Sequence, residues 1–470
     1  MTDATEPGSA VHHADVLIIG GGLSGALLAM QLLRLPGRRR IAVIEPRAEL
    51  GRGEAYSATE LGHTLNANAA RMSVDPDQPD DLTQWLEAHL AAGGWPQAAT
   101  QDVPVARLFP PRGLFGRYAA QRLKEAQAEA PGSTLVHVRG EAVDLFPMND
   151  GLCVEVQGAG HWWAPKVALA TGVFAASHTR RREPPEGDHF TGLDPWDVKA
   201  LEQLPKQAPV MIVGAGLTMV DALVSLERAG HRGPIEVISR HGLLPQPRRQ
   251  PPAWPDFLAT SQARTPLQCA KALRAQCRLA SAQGIDWQAP LDTVRAHVAR
   301  LWHQASDRQR RQFVRHLRPW WESHHHRAAP EGAALLAGLI EAGRLRVTAA
   351  TLLSAHGSAD GVVLRLRHRG QTGATEMYGA GLINSSGIEY DWRKVDKPLP
   401  RQLLARGLVA AGPLALGINA DASGAVIDAQ GTASPRLFAL GPPLRGLWWE
   451  STAVTEVAAQ AKALAWLLKE

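Results

Sequence analysis

Gly20-x-Gly22-x-x-Gly25 sits between a short apolar run (Val16–Ile19) and a stretch compatible with helix. That is the spacing a dinucleotide pyrophosphate requires. The first glycine permits a tight turn, the second lets a phosphate approach the backbone, and the third packs helix on strand. The helix start adds unpaired N–H groups and a partial positive charge. Glu45 follows Gly20 by 25 residues, at the end of the next apolar run. There its carboxylate can accept hydrogen bonds from both ribose hydroxyls and would repel a 2′-phosphate, so the site suits FAD or NAD rather than NADP.

A second fingerprint, Gly214-Ala215-Gly216-Leu217-Thr218-Met219, lacks the third glycine. Met219 stands in its place and is expected to push the helix off the strand or to rearrange the turn. At the position of the acidic residue the chain carries Ser239-Arg240. A hydroxyl beside a guanidinium fork is what a 2′-phosphate needs. Two readings follow, an NADPH site at Gly214, Gly216, Thr218, Ser239 and Arg240, or a Rossmann-like domain without nucleotide in which Arg240 is surface charge.

These residues require strand–turn–helix–strand units to position them, and the chain has two. ADVLIIGGGLSG (14–25) and APVMIVGAGLTMVD (208–221) are each followed by helix-compatible residues (26–35 and 220–229) and another strand, IAVIE (41–45) and IEVIS (235–239). The fold class is therefore α/β, with two Rossmann-like dinucleotide-binding domains. KVALATG (166–172) and GLINSSG (381–387) bracket the second unit, which implies an insertion. The expected domains are 1–205 with 380–470, and an inserted 206–379 with a helical Trp/Arg-rich segment at 250–330. A final helix is expected near 452–468.

Composition agrees with a globular chain, at 45% apolar and 20% charged residues. Glycine is the excess, with 44 in 470 residues against about 33 at the usual ~7%. The net charge of +5 is spread along the chain, which argues against nucleic acid. Three cysteines, Cys153, Cys269 and Cys277, form no Cys-x-x-Cys pair, pointing to a reducing compartment and away from disulfide-reductase chemistry. Residues 14–33 carry one charge, but their glycines break any membrane span, so a cytoplasmic protein without membrane contact is expected. The first thirteen residues are polar and expected to fray.

Five arginines (308, 310, 311, 315 and 318) fall on one predicted helix as a solvated face that could also steer anions. Beyond it, Trp320-Trp321 and His324-His325-His326-Arg327 invite a metal reading. Consecutive helical residues point about 100° apart and the histidines have no i, i+4 spacing among themselves, so no metal is expected. A pocket for an anionic or aromatic small molecule at Trp320, Trp321, His325 and Arg327 is one reading. Tryptophans in a domain interface with surface histidines is the other.

FALGPP (438–443) resembles the two-dinucleotide-domain flavoproteins, and GRGEAYS (51–57), LGHTLNANAARMSVDPDQPDDLTQWL (61–86), FPPRGLFGRY (109–118), GLTMVDALVSL (216–226), SRHGLLP (239–245), WWESHHHR (320–327) and LRGLWWESTAV (444–454) resemble the bacterial YdhS-like FAD/NAD(P)-binding proteins. That group lies within the two-dinucleotide-domain flavoproteins, which implies FAD for 1–205 with 380–470 and NAD(P)H for 206–379. The resemblance implies FAD pyrophosphate at Gly20, Gly22, Ser24 and Gly25, and ribose at Glu45. It further implies adenine at the backbone of Ala142 or Val143, the isoalloxazine near Asn66, Asn68 and Met72, the pyrophosphate or ribityl chain at Gly441, and cofactor contact at Thr171 and Gly172. The implied activity is a flavin-dependent monooxygenase that consumes NADPH and hydroxylates a small organic molecule through a flavin hydroperoxide. A flavin dehydrogenase or reductase without oxygen insertion and a non-catalytic flavin-binding sensor are the alternatives. No catalytic residue is identified. Arg112 and Glu450 are the first polar motif residues to test.

Overall fold

The computed structural model describes residues 11–95, 102–176, 192–259, 261, 263–358 and 361–469. The chain divides into two compact units, one of residues 1–59, 67–174 and 389–470 and the other of 60–66 and 175–388. The second unit thus takes in 60–66 and 175–388, where 206–379 was expected. Leu193 pairs with Ile383 as an isolated bridge, and Leu201 and Leu204 belong to the second unit's apolar core, which draws the segment after 175 into it.

In the first unit, strand β1 (Val16–Ile19), helix α1 (Leu23–Arg34) and strand β2 (Arg40–Ile44) form the first βαβ. Every residue of β1 is buried, as a central parallel strand covered on both faces must be. Strands β3 (Thr134–Val138) and β5 (Lys166–Leu169) complete the parallel part, with β1 between β2 and β5 and with β3 outside β2. Strand Ala433–Ala439 pairs parallel to β5, and Ala425–Ile427 closes the six-stranded sheet antiparallel to it. Helix α1 is Leu- and Ala-rich and buries ten of its 12 residues, held between the sheet and helices Arg112–Ala128 and Val454–Leu468.

A four-stranded sheet of the same unit contains β4 (Glu141–Met148). Its edge strand is Val11–His13, parallel to His161–Trp163, so these three residues do not fray as expected. His12 stacks on Trp162 at 4.8 Å, which explains why a polar segment holds there.

The second unit repeats the pattern with β6 (Val210–Val213), α2 (Leu217–Arg228) and β7 (Ile235–Ser239). The long strand β8 (Leu345–Ser358) runs parallel to β7, then turns antiparallel to β9 (Gly361–His368), which pairs with Thr375–Gly379. Strand β10 (Gly381–Asn384) lies on the far side of β6. The core under α2 is built on Val210, Ile212, Met219, Leu223 and Leu226.

The basic run is not one helix. Helical residues Asp307–Gln312 pass through a π-helical turn at Phe313–Leu317 into α3 (Arg318–His325). Among the described residues no helix is long and apolar enough to cross a membrane.

Candidate functional site

The two glycine turns open alike. Gly20 (φ +102°) and Gly214 (φ +104°) leave their strands in the left-handed region that favours glycine. Gly20 N donates to Ile44 O at 2.9 Å, and Gly214 N to Ile238 O at 2.9 Å. A β-carbon on Gly20 would lie 2.3 Å from Ala170 O, and one on Gly214 would lie 2.0 Å from Ser385 O. Ala170-Thr171-Gly172 and Ser385-Ser386-Gly387 are therefore structural counterparts. Helices α1 and α2 start at Gly22 and Gly216, both extended, and neither start has a side-chain cap. Their first N–H groups stay available to an anion.

Met219 does not disturb this geometry. It is fully buried in the second unit's core, and Met219 N donates to Gly216 O at 3.1 Å, tightening the first turn. The equivalent Gly25 could not carry a side chain, since its β-carbon would lie 1.9 Å from Gly20 O. The second unit accommodates a long flexible thioether at that point by taking it inward as core.

In the first unit, Glu45 closes β2 and is buried. Its Oε2 accepts from Gly21 N at 2.9 Å, and its Oε1 from Arg47 N at 3.1 Å and Arg47 Nη1 at 3.2 Å. A carboxylate offers about four acceptor positions, so one place remains for a ribose hydroxyl rather than the two expected. Glu45 N donates to Val138 O at 3.0 Å, and His137 Nε2 lies 3.0 Å from Glu45 O. That places the end of β3 against Glu45, just before β4. The β4 ladder skips Val143, because Ala142 pairs with Val156 and Asp144 with Glu155. The bulge leaves the Val143 backbone outside the ladder, which suits an adenine edge.

Four further groups meet the requirements of a bound dinucleotide. Thr171 Oγ1, Ser451 Oγ and Asn68 Oδ1 are buried without a hydrogen-bond partner among the described residues. A buried polar atom left unpaired costs about 1–3 kcal/mol, so a ligand there restores what burial removes. Gly441 (φ +73°) brings its backbone against α1, where a β-carbon would lie 2.6 Å from Ser24 Oγ. Gly441 N donates to Gln460 Oε1 at 2.9 Å, which fixes the turn on the final helix. Gly20, Gly22, Ser24, Gly25, Glu45, Asn68, Met72, Ala142, Val143, Thr171, Gly172 and Gly441 all belong to this unit, whereas Asn66 ends the 60–66 segment of the other. Ser451 was missed, although it lies in a motif already singled out. Its signal was a small hydroxyl following the Trp448-Trp449-Glu450 run.

Arg112 opens helix Arg112–Ala128 and lies beside Tyr56. Burial pushes the Tyr56 phenol up and the Arg112 charge partly opposes it. Glu450 O accepts from Ala453 N at 2.8 Å at the start of the final helix. Nearby, the buried Arg445 lies 4.2 Å over the Trp449 ring.

In the second unit, Ser385 Oγ is buried and has no partner among the described residues, and a β-carbon on Gly216 would meet nothing within 4 Å. Both fit a nucleotide passing over the turn, with Thr218 in the first turn of α2. Ser239 Oγ accepts from Gly242 N at 3.0 Å, leaving its O–H proton to donate. Arg240 is exposed beside it.

The Trp/His segment does not form the expected pocket as a whole. Arg327 is 1% exposed and its guanidinium is tied to Gln288 and Asp292, so it fastens the Gln288–Val294 helix instead of meeting a substrate. Trp320 is 55% exposed, while Trp321 stacks on His325 at 4.4 Å and 16°. Trp321 Nε1 is a buried donor with no partner among the described residues. His324 Nδ1 lies 2.9 Å from Trp320 O, and His326 Nδ1 2.6 Å from Glu322. Cys269 and Cys277 are unpaired and half-buried, with thiols pushed up by burial.

Residues 17–174 match the family model described as FAD-NAD(P)-binding. No curated protein matches by sequence. Among solved structures, the ornithine N-hydroxylase of Kutzneria sp. 744, described with FADred, NADP+ and L-orn, is 14% identical. The match covers 98% of this chain and 99% of that one at a TM-score of 0.64. L-lysine 6-monooxygenase from Pseudomonas syringae is 14% identical, with 97% and 99% covered and a TM-score of 0.62. Lactococcus lactis thioredoxin reductase is 12% identical, with 97% and 99% covered and a TM-score of 0.52. The fold is that of the two-dinucleotide-domain flavoproteins.

Proposed function

We propose that the chain is a FAD-dependent, NADPH-consuming monooxygenase of the YdhS-like kind, acting on a small organic molecule. FAD is held by the first unit and NADPH by the second. The observation that carries this reading is the pair of glycine turns alike in backbone conformation at both glycines, each with an uncapped helix start and a buried hydroxyl without a partner among the described residues, Thr171 in one and Ser385 in the other. Likeness to the two hydroxylases at TM-scores of 0.64 and 0.62, against 0.52 for the reductase, supports oxygen insertion over simple reduction. The absence of any Cys-x-x-Cys pair from the sequence disfavours the disulfide chemistry named for the reductase neighbour.

Bound FAD, once reduced by NADPH, would supply the activation of oxygen. The chain's own residues bind and orient. The first-turn N–H groups of α1 and the Ser24 and Ser451 hydroxyls hold phosphate and ribityl oxygens, while Glu45 accepts one ribose hydroxyl. Arg240 and Thr218 receive the second nucleotide. Trp320, Trp321 and His325 are the residues proposed to meet an aromatic or anionic substrate, with the Trp321 indole N–H as a donor.

Anaerobic titration of the yellow holoprotein tests the reading. NADPH should bleach the flavin, and under air a screened substrate should gain one oxygen atom by mass. No bleaching by NADPH or NADH sinks both enzyme readings. Bleaching with peroxide and no oxygenated product from any screened amine or aromatic acid favours a reductase.

A further inference from the structure

We propose that Arg369 and His241, together with Arg240, clamp the 2′-phosphate of the second nucleotide and thereby set its preference for NADPH over NADH. The inference rests on reading the second unit as the nicotinamide-dinucleotide unit. In an open parallel sheet the adenosine ribose lies beyond the carboxyl end of the strand after the glycine turn. Here that strand is β7, ending at Ser239.

Two backbone links bring Arg369 to that end. Ser239 pairs with Ala349 of β8, and Arg369 N donates to Ala349 O at 2.8 Å. The antiparallel return of β9 therefore delivers a residue from far along the chain to the tip of β7. The turn after β7 is packed against the same point, since a β-carbon on Gly242 would lie 3.2 Å from Ala349 Cβ.

At that tip Arg369 Nη1 lies 3.2 Å from His241 Nδ1. A guanidinium only donates, so Nδ1 is the acceptor and the neutral ring carries its proton on Nε2. Partial burial, then the charges of Arg369 and Arg240, hold the His241 pKa down. Those two arginines act on the ring, one from its own turn and one from the end of β9. Among the described residues neither Arg369 nor His241 makes an ion pair with a carboxylate. The donors of Arg369, the Nε2–H of His241 and the O–H of Ser239 thus gather beside two arginines. A phosphomonoester, with roughly −1.5 to −2 charge at pH 7 and three acceptor oxygens, matches that set. The 2′-hydroxyl of NADH brings no charge.

Calorimetric titration of the full-length holoprotein with adenosine 2′,5′-bisphosphate and with 5′-AMP tests the clamp without turnover. Wild type should bind the bisphosphate more tightly. Arg369→Ala should weaken the bisphosphate on the order of tenfold to a hundredfold and leave 5′-AMP unchanged. Arg369→Lys should recover part of the loss, and His241→Ala should lose roughly tenfold or less. Arg369 is exposed, and an unchanged melting temperature would confirm that the variants fold. If wild type prefers the bisphosphate but Arg369→Ala keeps that preference, the clamp is wrong and the nucleotide reading stands. Equal binding of the two probes by wild type also overturns the clamp. Binding of neither probe overturns the nucleotide reading and the clamp with it.

Discussion

Gly214 and Gly216 stand two residues apart in one turn, yet they do different work. An alanine at 214 would need φ near +104° and would place its β-carbon 2.0 Å from Ser385 O. Gly214→Ala should therefore destabilise the second unit by more than about 2 kcal/mol, through backbone strain and overpacking together. Gly216 has an ordinary φ of −90° and open space where the β-carbon would go. Gly216→Ala should cost about 1 kcal/mol as a poorer helix cap, while raising the NADPH concentration needed for half-maximal flavin reduction. Paired urea melts and anaerobic titrations check both. A Gly216→Ala protein with unchanged NADPH response would show that no nucleotide crosses the turn there.

At the scale of the element, α2 shows that a degraded motif does not mean a degraded turn. Met219 is fully buried in the core beneath the helix, and Gly214 and Gly216 keep the backbone conformations of Gly20 and Gly22. Met219→Gly, which restores the sequence motif, should destabilise the unit by about 3–5 kcal/mol by leaving a cavity and adding a helical glycine. It should bring no gain in NADPH affinity. A tighter response to NADPH in that variant would show that the thioether obstructs the site. The strands and helices around both turns were legible because apolar runs and glycine spacing are local signals. The side to which Met219 points was not legible, since core or obstruction depends on what packs opposite. Arg327 was misread for the same reason, as its partners Gln288 and Asp292 lie 39 and 35 residues away. Arg369 was invisible for a related one. Only the pairing of β8 with both β7 and β9 carries it to the nucleotide end of the sheet.

For the whole molecule, the assignment of one cofactor to each unit depends on charge at the strand ends. Glu45 closes β2 with a buried carboxylate, while Arg240, His241 and Arg369 gather at the end of β7. A 2′-phosphate is repelled by the first and attracted by the second, so the two nucleotides should not exchange places. Ligand at about 100 times its dissociation constant adds ~2.7 kcal/mol to whatever unfolding it opposes. That stabilisation should be spatially confined, because each unit has its own apolar core. Amide hydrogen exchange on the holoprotein should show NADPH slowing exchange at 214–219, 239–242 and 369, with no change at 20–26. Removal of FAD should speed exchange at 20–26, 171–172 and 441–452. NADH should protect 214–219 more weakly than NADPH and leave exchange at 369 unchanged. Protection of 20–26 by NADPH in the flavin-free chain, with none at 214–219, would reverse the assignment. It would mean that Glu45 tolerates the phosphate and that the basic end of β7 serves another anion.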